Sequence, residues 1–129
     1  MPFESAAKIL KHAYENNYAV GYFESWDIVS IQGVIDAAEE SQAPVIIGFS
    51  GDFLVNPERE AEEHLEMYGA LARAAAETAK VPCAVILNEC PRSDWVEKAP
   101  IYGFNLVMFS DDHAPYEEYV TQVATLCER

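Results

Sequence analysis

Hydrophobic positions along this chain switch repeatedly between a helical period and short unbroken apolar runs. From Glu4 to Asn16, Ala7, Ile9, Leu10, Ala13 and Tyr14 gather near one helical face, and Asn16-Asn17 breaks the pattern. Tyr18 to Phe23 (YAVGYF) then predicts a buried, aromatic-rich strand. Ile28 to Glu40 returns to three- and four-residue spacing through Ile28, Ile31, Val34, Ile35 and Ala38, with Asp27 where an N-cap belongs. Pro44 opens a second run, Val45 to Phe49 (VIIGF), ending at Ser50-Gly51-Asp52. A loop containing Pro57 leads into a helix predicted from about Pro57 to Lys80, Ala-rich in its second half. Val81-Pro82 restarts the cycle with Cys83 to Leu87 (CAVIL), and Phe104 to Phe109 (FNLVMF) runs into Ser110-Asp111-Asp112-His113. A last helix is predicted over about Tyr116 to Cys127.

Nearly continuous apolar strands separated by helices predict an α/β fold with a parallel sheet covered by helices. Four consecutive βα units over residues 1–129, read as one domain, fit half of a (β/α)8 barrel; a small open flavodoxin-like sheet is the alternative. Gly-x-Gly-x-x-Gly and Walker A signatures are both absent, which argues against the nucleotide-binding versions.

Composition narrows the function. The chain has 129 residues, half of them hydrophobic, enough for a real core. Its net charge of −14 opposes binding to a phosphate backbone or an anionic membrane surface. No apolar run approaches the roughly 18 residues of a membrane span, and MPFESAAKILKHAYENN has no apolar signal core, so a cytoplasmic location is expected. Three scattered cysteines, Cys83, Cys90 and Cys127, read as reduced thiols.

In parallel α/β folds chemistry collects at the carboxyl ends of the strands. Those ends carry Glu24, Ser25 and Asp27; Ser50, Gly51 and Asp52; Asn88, Glu89 and Cys90, followed by Arg92; and Ser110, Asp111, Asp112 and His113. Carboxylates gathered on one rim repel unless a cation or shared proton intervenes. Glu89, Cys90 and His113, with Asp111 or Asp112, therefore form a candidate divalent-metal set whose donors suit zinc. Plainer roles compete. Asp27 and Asp52 read equally as helix caps, Cys90 before Pro91 as a packed thiol, and His113 as an exposed loop residue. His12 and His64 read as helix-surface residues, and Glu58 to Glu66 as a solvated helix face.

YAVGYF, AAEESQAPVIIGFSG, AAAETAKVPCAVILNEC and YGFNLVMFSDDHAPYEEYV occur in this order. They resemble the first four βα units of the class II, metal-dependent fructose-bisphosphate aldolases. The resemblance covers essentially the whole chain and implies the N-terminal half of an eight-stranded barrel. It also implies reversible aldol cleavage of a phosphorylated sugar, with zinc polarising the carbonyl. Carried over by position, the family's catalytic Asp falls on Asn88, an adjacent zinc-binding His on Glu89, and a further His on Ile86. The acidic residue of the fourth strand falls on Ser110, with Asp111 next to it. A substrate-binding Asn falls on Glu24, while Ser50, Gly51 and His113 match the family. Asn88 cannot act as a carboxylate acid or base, which leaves Asp111 and Asp112 as the acid/base candidates, with Arg92 the nearest cation for a phosphate. The remaining zinc histidines and the main phosphate loops belong to the family's second half. A half barrel alone would turn roughly eight apolar side chains outward and leave two sheet edges open. The expected partner is therefore a second copy, or a missing C-terminal half. A noncatalytic half barrel that binds a metal or ligand, and a structural half completed by another chain, are the alternative functions.

Overall fold

The computed structural model describes residues 2–128. Ten elements follow one another: α1 (Ala6–Glu15), β1 (Gly21–Glu24), α2 (Ile28–Glu40), β2 (Val45–Ser50), α3 (Gly51–Leu54), α4 (Leu65–Thr78), β3 (Cys83–Cys90), α5 (Ser93–Tyr102), β4 (Leu106–Phe109) and α6 (Tyr116–Cys127). The strands form one parallel sheet in the order β1-β2-β3-β4. Consecutive order without a reversal is the arrangement of a barrel segment and excludes the flavodoxin-like alternative.

Several boundaries differ from the sequence expectation. The first strand is shorter, because residues 18–20 follow the left-handed turn at Asn17 and do not join the sheet. The helix expected from Pro57 to Lys80 is confined to Leu65–Thr78; the acidic stretch before it is irregular, and its like charges disfavour an uninterrupted helix. The sequence reading assigns no helix to 93–102, where Pro100 obscures the pattern; a left-handed Gly103 closes α5.

Side-chain alternation divides the sheet into two faces. One face carries Val45, Ile47, Phe49, Cys83, Val85 and Leu87, packed with Ile31, Ile35, Leu65, Ala72, Ala76, Trp95 and Phe104 from the helices. The opposite face carries Ile46, Ala84 and Ile86, packed with Ala6 and Ile9 of α1. The expectation of an open apolar inner face is corrected by this helix. Where α1 lies, the inner side chains are buried, and the polar carboxyl-end half of the face is left above them. Open edges do remain: β1 and β4 each have a single strand neighbour among the described residues. Beside them Phe23 (53% exposed) and Met108 (45% exposed) meet solvent.

Asp27 caps α2 as expected. Its carboxylate accepts a 2.7 Å bond from the Ser30 backbone N–H, while Ser30 Oγ accepts from the Asp27 N–H. The Ser30 bonds hold the Asp27 carboxyl below the usual aspartate range. A depressed folded value stabilises the protein above the unfolded value and ceases to do so as pH falls through the folded one. Asp27→Asn keeps a capping oxygen but cannot titrate. In urea denaturation from pH 7 to 3, the stability gap between wild type and Asp27→Asn should narrow below about pH 4.

Candidate functional site

The carboxyl ends of the strands bring Glu24, Gly48, Ser50 and Asn88 onto the inner face. Glu24 is registered with Gly48, and Ser50 with Asn88. A member the sequence reading passes over is Tyr22, whose hydroxyl donates a 3.2 Å bond to Glu24 Oε2. Its signal is the two-residue spacing Tyr22-x-Glu24, which places both on one face of a strand. Burial, then Glu24 and Glu89, raise the Tyr22 phenol above its ordinary range, so it stays protonated and serves as a donor. Ser50 caps the short α3 by accepting from the Phe53 N–H at 3.4 Å, and is itself buried.

The end of β3 carries the decisive irregularity. Leu87 pairs with Val107 and Cys90 with Phe109, so the register shifts between them, and Glu89 adopts a left-handed φ of 47°. A bulge of this kind changes which face the following residue occupies. Asn88 stays on the inner face and half-buried, Glu89 is exposed, and Cys90 is delivered to the helix-covered core. There Cys90 Sγ lies 3.6 Å from the Arg92 carbonyl, and burial pushes its thiol up to about 11. Gly51 is needed beside it: a Cβ at Gly51 would lie 2.5 Å from the Cβ of Cys90.

The other expected residues lie apart. Arg92 makes a two-pronged ion pair with Asp94 at 3.0 and 2.7 Å and stacks over Trp95, so its charge is already matched. Asp52 sits in the first turn of α3 and is exposed. Beyond β4, Asp111 Oδ1 accepts from the His113 N–H at 3.1 Å, and Asp112 Oδ1 from Ser110 Oγ at 3.4 Å. These contacts are turn-forming, and His113 is exposed.

The expected metal set of Glu89, Cys90 and His113 does not assemble. The bulge turns Cys90 into the core, while His113 stands on the exposed loop after β4. Among the described residues, no group of three or more His, Cys, Asp or Glu side chains could hold a metal ion. The described residues therefore hold no metal site by themselves: where the resemblance puts a zinc-binding His, they offer only the exposed carboxylate of Glu89.

Thiol accessibility tests the placement of Cys90 directly. Cys83 and Cys90 are buried, with burial pushing Cys83 up to about 12, while Cys127 is exposed. An aromatic disulfide reagent at pH 8 should label Cys127 alone in the folded protein and every cysteine in denaturant. Cys127→Ser should abolish the native reaction.

Comparison with known proteins gives this geometry its lineage. Residues 4–129 match the family model for fructose-bisphosphate aldolase class II. The chain is 32% identical to a probable fructose-bisphosphate aldolase of Bacillus subtilis, over 99% of this chain and 44% of that protein. It is 31% identical to a sulfofructosephosphate aldolase of Alkalicoccus urumqiensis, over 92% of this chain and 39% of that protein. The crystal structure of the YdjI aldolase from Escherichia coli K12 superposes with a TM-score of 0.81 at 25% identity, covering 98% of this chain and 46% of that one. The chain thus spans about half the length of the relatives it matches, and it belongs to the class II fructose-bisphosphate aldolase family.

Proposed function

We propose that this chain forms one half of the substrate-binding rim of an aldolase-type barrel, for a phosphorylated sugar or related aldol substrate. In this reading, carbon–carbon cleavage also requires groups outside these residues. The observation that supports it is the inner-face row of Tyr22, Glu24, Ser50 and Asn88 above a floor sealed by α1. Hydroxyl, amide and carboxylate groups at strand ends match the hydroxyl and carbonyl groups of a sugar. Asn88 supplies hydrogen bonds where the family's catalytic Asp falls, so binding is what this half retains. Asp111 and Asp112 are the carboxylates left to move a proton, once the barrel is closed. Arg92 is spent on Asp94, so the phosphate requires cations from the closing half. Closure of the β1 and β4 edges is assigned to a second copy or to further sequence, and native mass spectrometry separates these.

Amide shift mapping tests the binding role. Dihydroxyacetone phosphate should perturb Glu24, Ser50 and Asn88 where inorganic phosphate does not, and Asn88→Ala should weaken binding about tenfold, the weight of one good hydrogen bond. Identical responses to the two probes would leave the second reading, a purely structural half. That reading is favoured by the β1 and β4 edges, which are open among the described residues.

A further inference from the structure

We infer that the strand-end rim of this chain contributes no zinc half-site: at the positions where its family has a histidine, the catalytic Asp and a zinc-binding His, it offers a packed apolar side chain, a neutral amide and a solvated carboxylate. The inference stands apart from the proposed sugar-binding role and survives its failure.

Three positions at the end of β3 carry it. Ile86, where the resemblance puts a histidine, is only 8% exposed and belongs to the apolar cluster with Ala6, Ile9, Ile46 and Ala84. Its surroundings are closed: the Ile86 Cγ2 lies 2.7 Å from where a Cβ on Gly48 would stand, and Leu106 of β4 packs against the same cluster. An imidazole there would lie in the apolar cluster over α1, where the present side chain serves packing and offers no metal donor. Asn88 offers a neutral amide in place of a carboxylate, removing the charge that attracts a divalent ion. Glu89 occupies the bulge and is exposed, so its carboxylate is solvated rather than held in a fixed set. The one soft donor nearby, Cys90, is delivered by that same bulge to the opposite face of the sheet. An apolar side chain, a neutral amide and a solvated carboxylate thus stand at positions 86, 88 and 89, and the neighbouring thiol is buried in the helix-covered core.

The test is zinc binding by tag-free protein, followed by competition with a chromophoric chelator and by native mass spectrometry. Wild type, Glu89→Ala, Glu24→Ala and His113→Ala should bind zinc within twofold of one another. Saturable uptake of one zinc per chain that any of these substitutions weakens tenfold or more would overturn the inference. Glu89→Gln, which preserves size at the bulge, guards against a change of fold being mistaken for loss of a ligand.

Discussion

Gly48→Ala should cost about 3 kcal/mol or more of folding stability, a large share of what a domain of this size possesses. Gly48 lies in β2 between Glu24 of β1 and Ile86 of β3. A Cβ there would stand 1.9 Å from the Ile86 carbonyl oxygen and 2.7 Å from Ile86 Cγ2. The side-chain carbon could rotate away, but the backbone oxygen is fixed by the sheet. Relief then requires β2 and β3 to separate, which loosens the strands that hold Ser50 and Asn88 side by side. Gly33 provides the control, because nothing lies within 4 Å of a Cβ added in the middle of α2. Gly33→Ala should stabilise the protein by about 0.5 to 1 kcal/mol through helix propensity and a less flexible unfolded chain. Urea unfolding followed by circular dichroism measures both. A Gly48→Ala variant within 1 kcal/mol of wild type would mean that the close approach of β2 and β3 is not as described.

The legibility of this molecule in its sequence follows its periodicities. Runs such as VIIGF and CAVIL are buried on both faces of the sheet, so their unbroken hydrophobicity reads directly as parallel strands. Asp27 and Ser30 announce the start of α2 at the right spacing, and the structure completes both capping bonds. The inner face is harder to read, because its covering comes from α1, far away in the chain. Nothing local in Ile46 or Ile86 says that Ile9 will lie over them. The candidate site was legible as a list of strand ends and illegible as a geometry. Counting along NEC by simple alternation puts Cys90 on the inner face with Asn88, whereas the single bulged residue Glu89 sends it to the core. A shift of one residue thus removed the thiol from the expected metal set. Tyr22 was hidden for the opposite reason: inside YAVGYF it looks like core, yet its hydroxyl reaches the Glu24 carboxylate.

Phe49→Ala should remove about 4 kcal/mol of stability, and its effect should reach the surface loop before α4. The ring is 1% exposed in the helix-covered core and meets Tyr68 edge-on, with centroids 4.8 Å apart. The Tyr68 hydroxyl donates at 2.5 Å to Glu63, which pairs with Arg59; the Arg59 guanidinium lies 4.9 Å over the Phe53 ring, and Phe53 meets Trp26 edge-on at 4.4 Å. A continuous series of contacts therefore links the core of β2 to the segment at 55–64 and to the residues beyond β1. Truncating Phe49 leaves a cavity under Tyr68, so amide exchange across 55–64 should accelerate along with the global loss. Tyr68→Phe separates the two parts. It keeps the ring packed on Phe49 and deletes only the bond to Glu63, so it should cost about 1 kcal/mol while still speeding exchange in 55–64. If Tyr68→Phe leaves that exchange unchanged, the loop is held by its own Arg59–Glu63 pair, and the core of β2 governs stability without steadying the 55–64 segment.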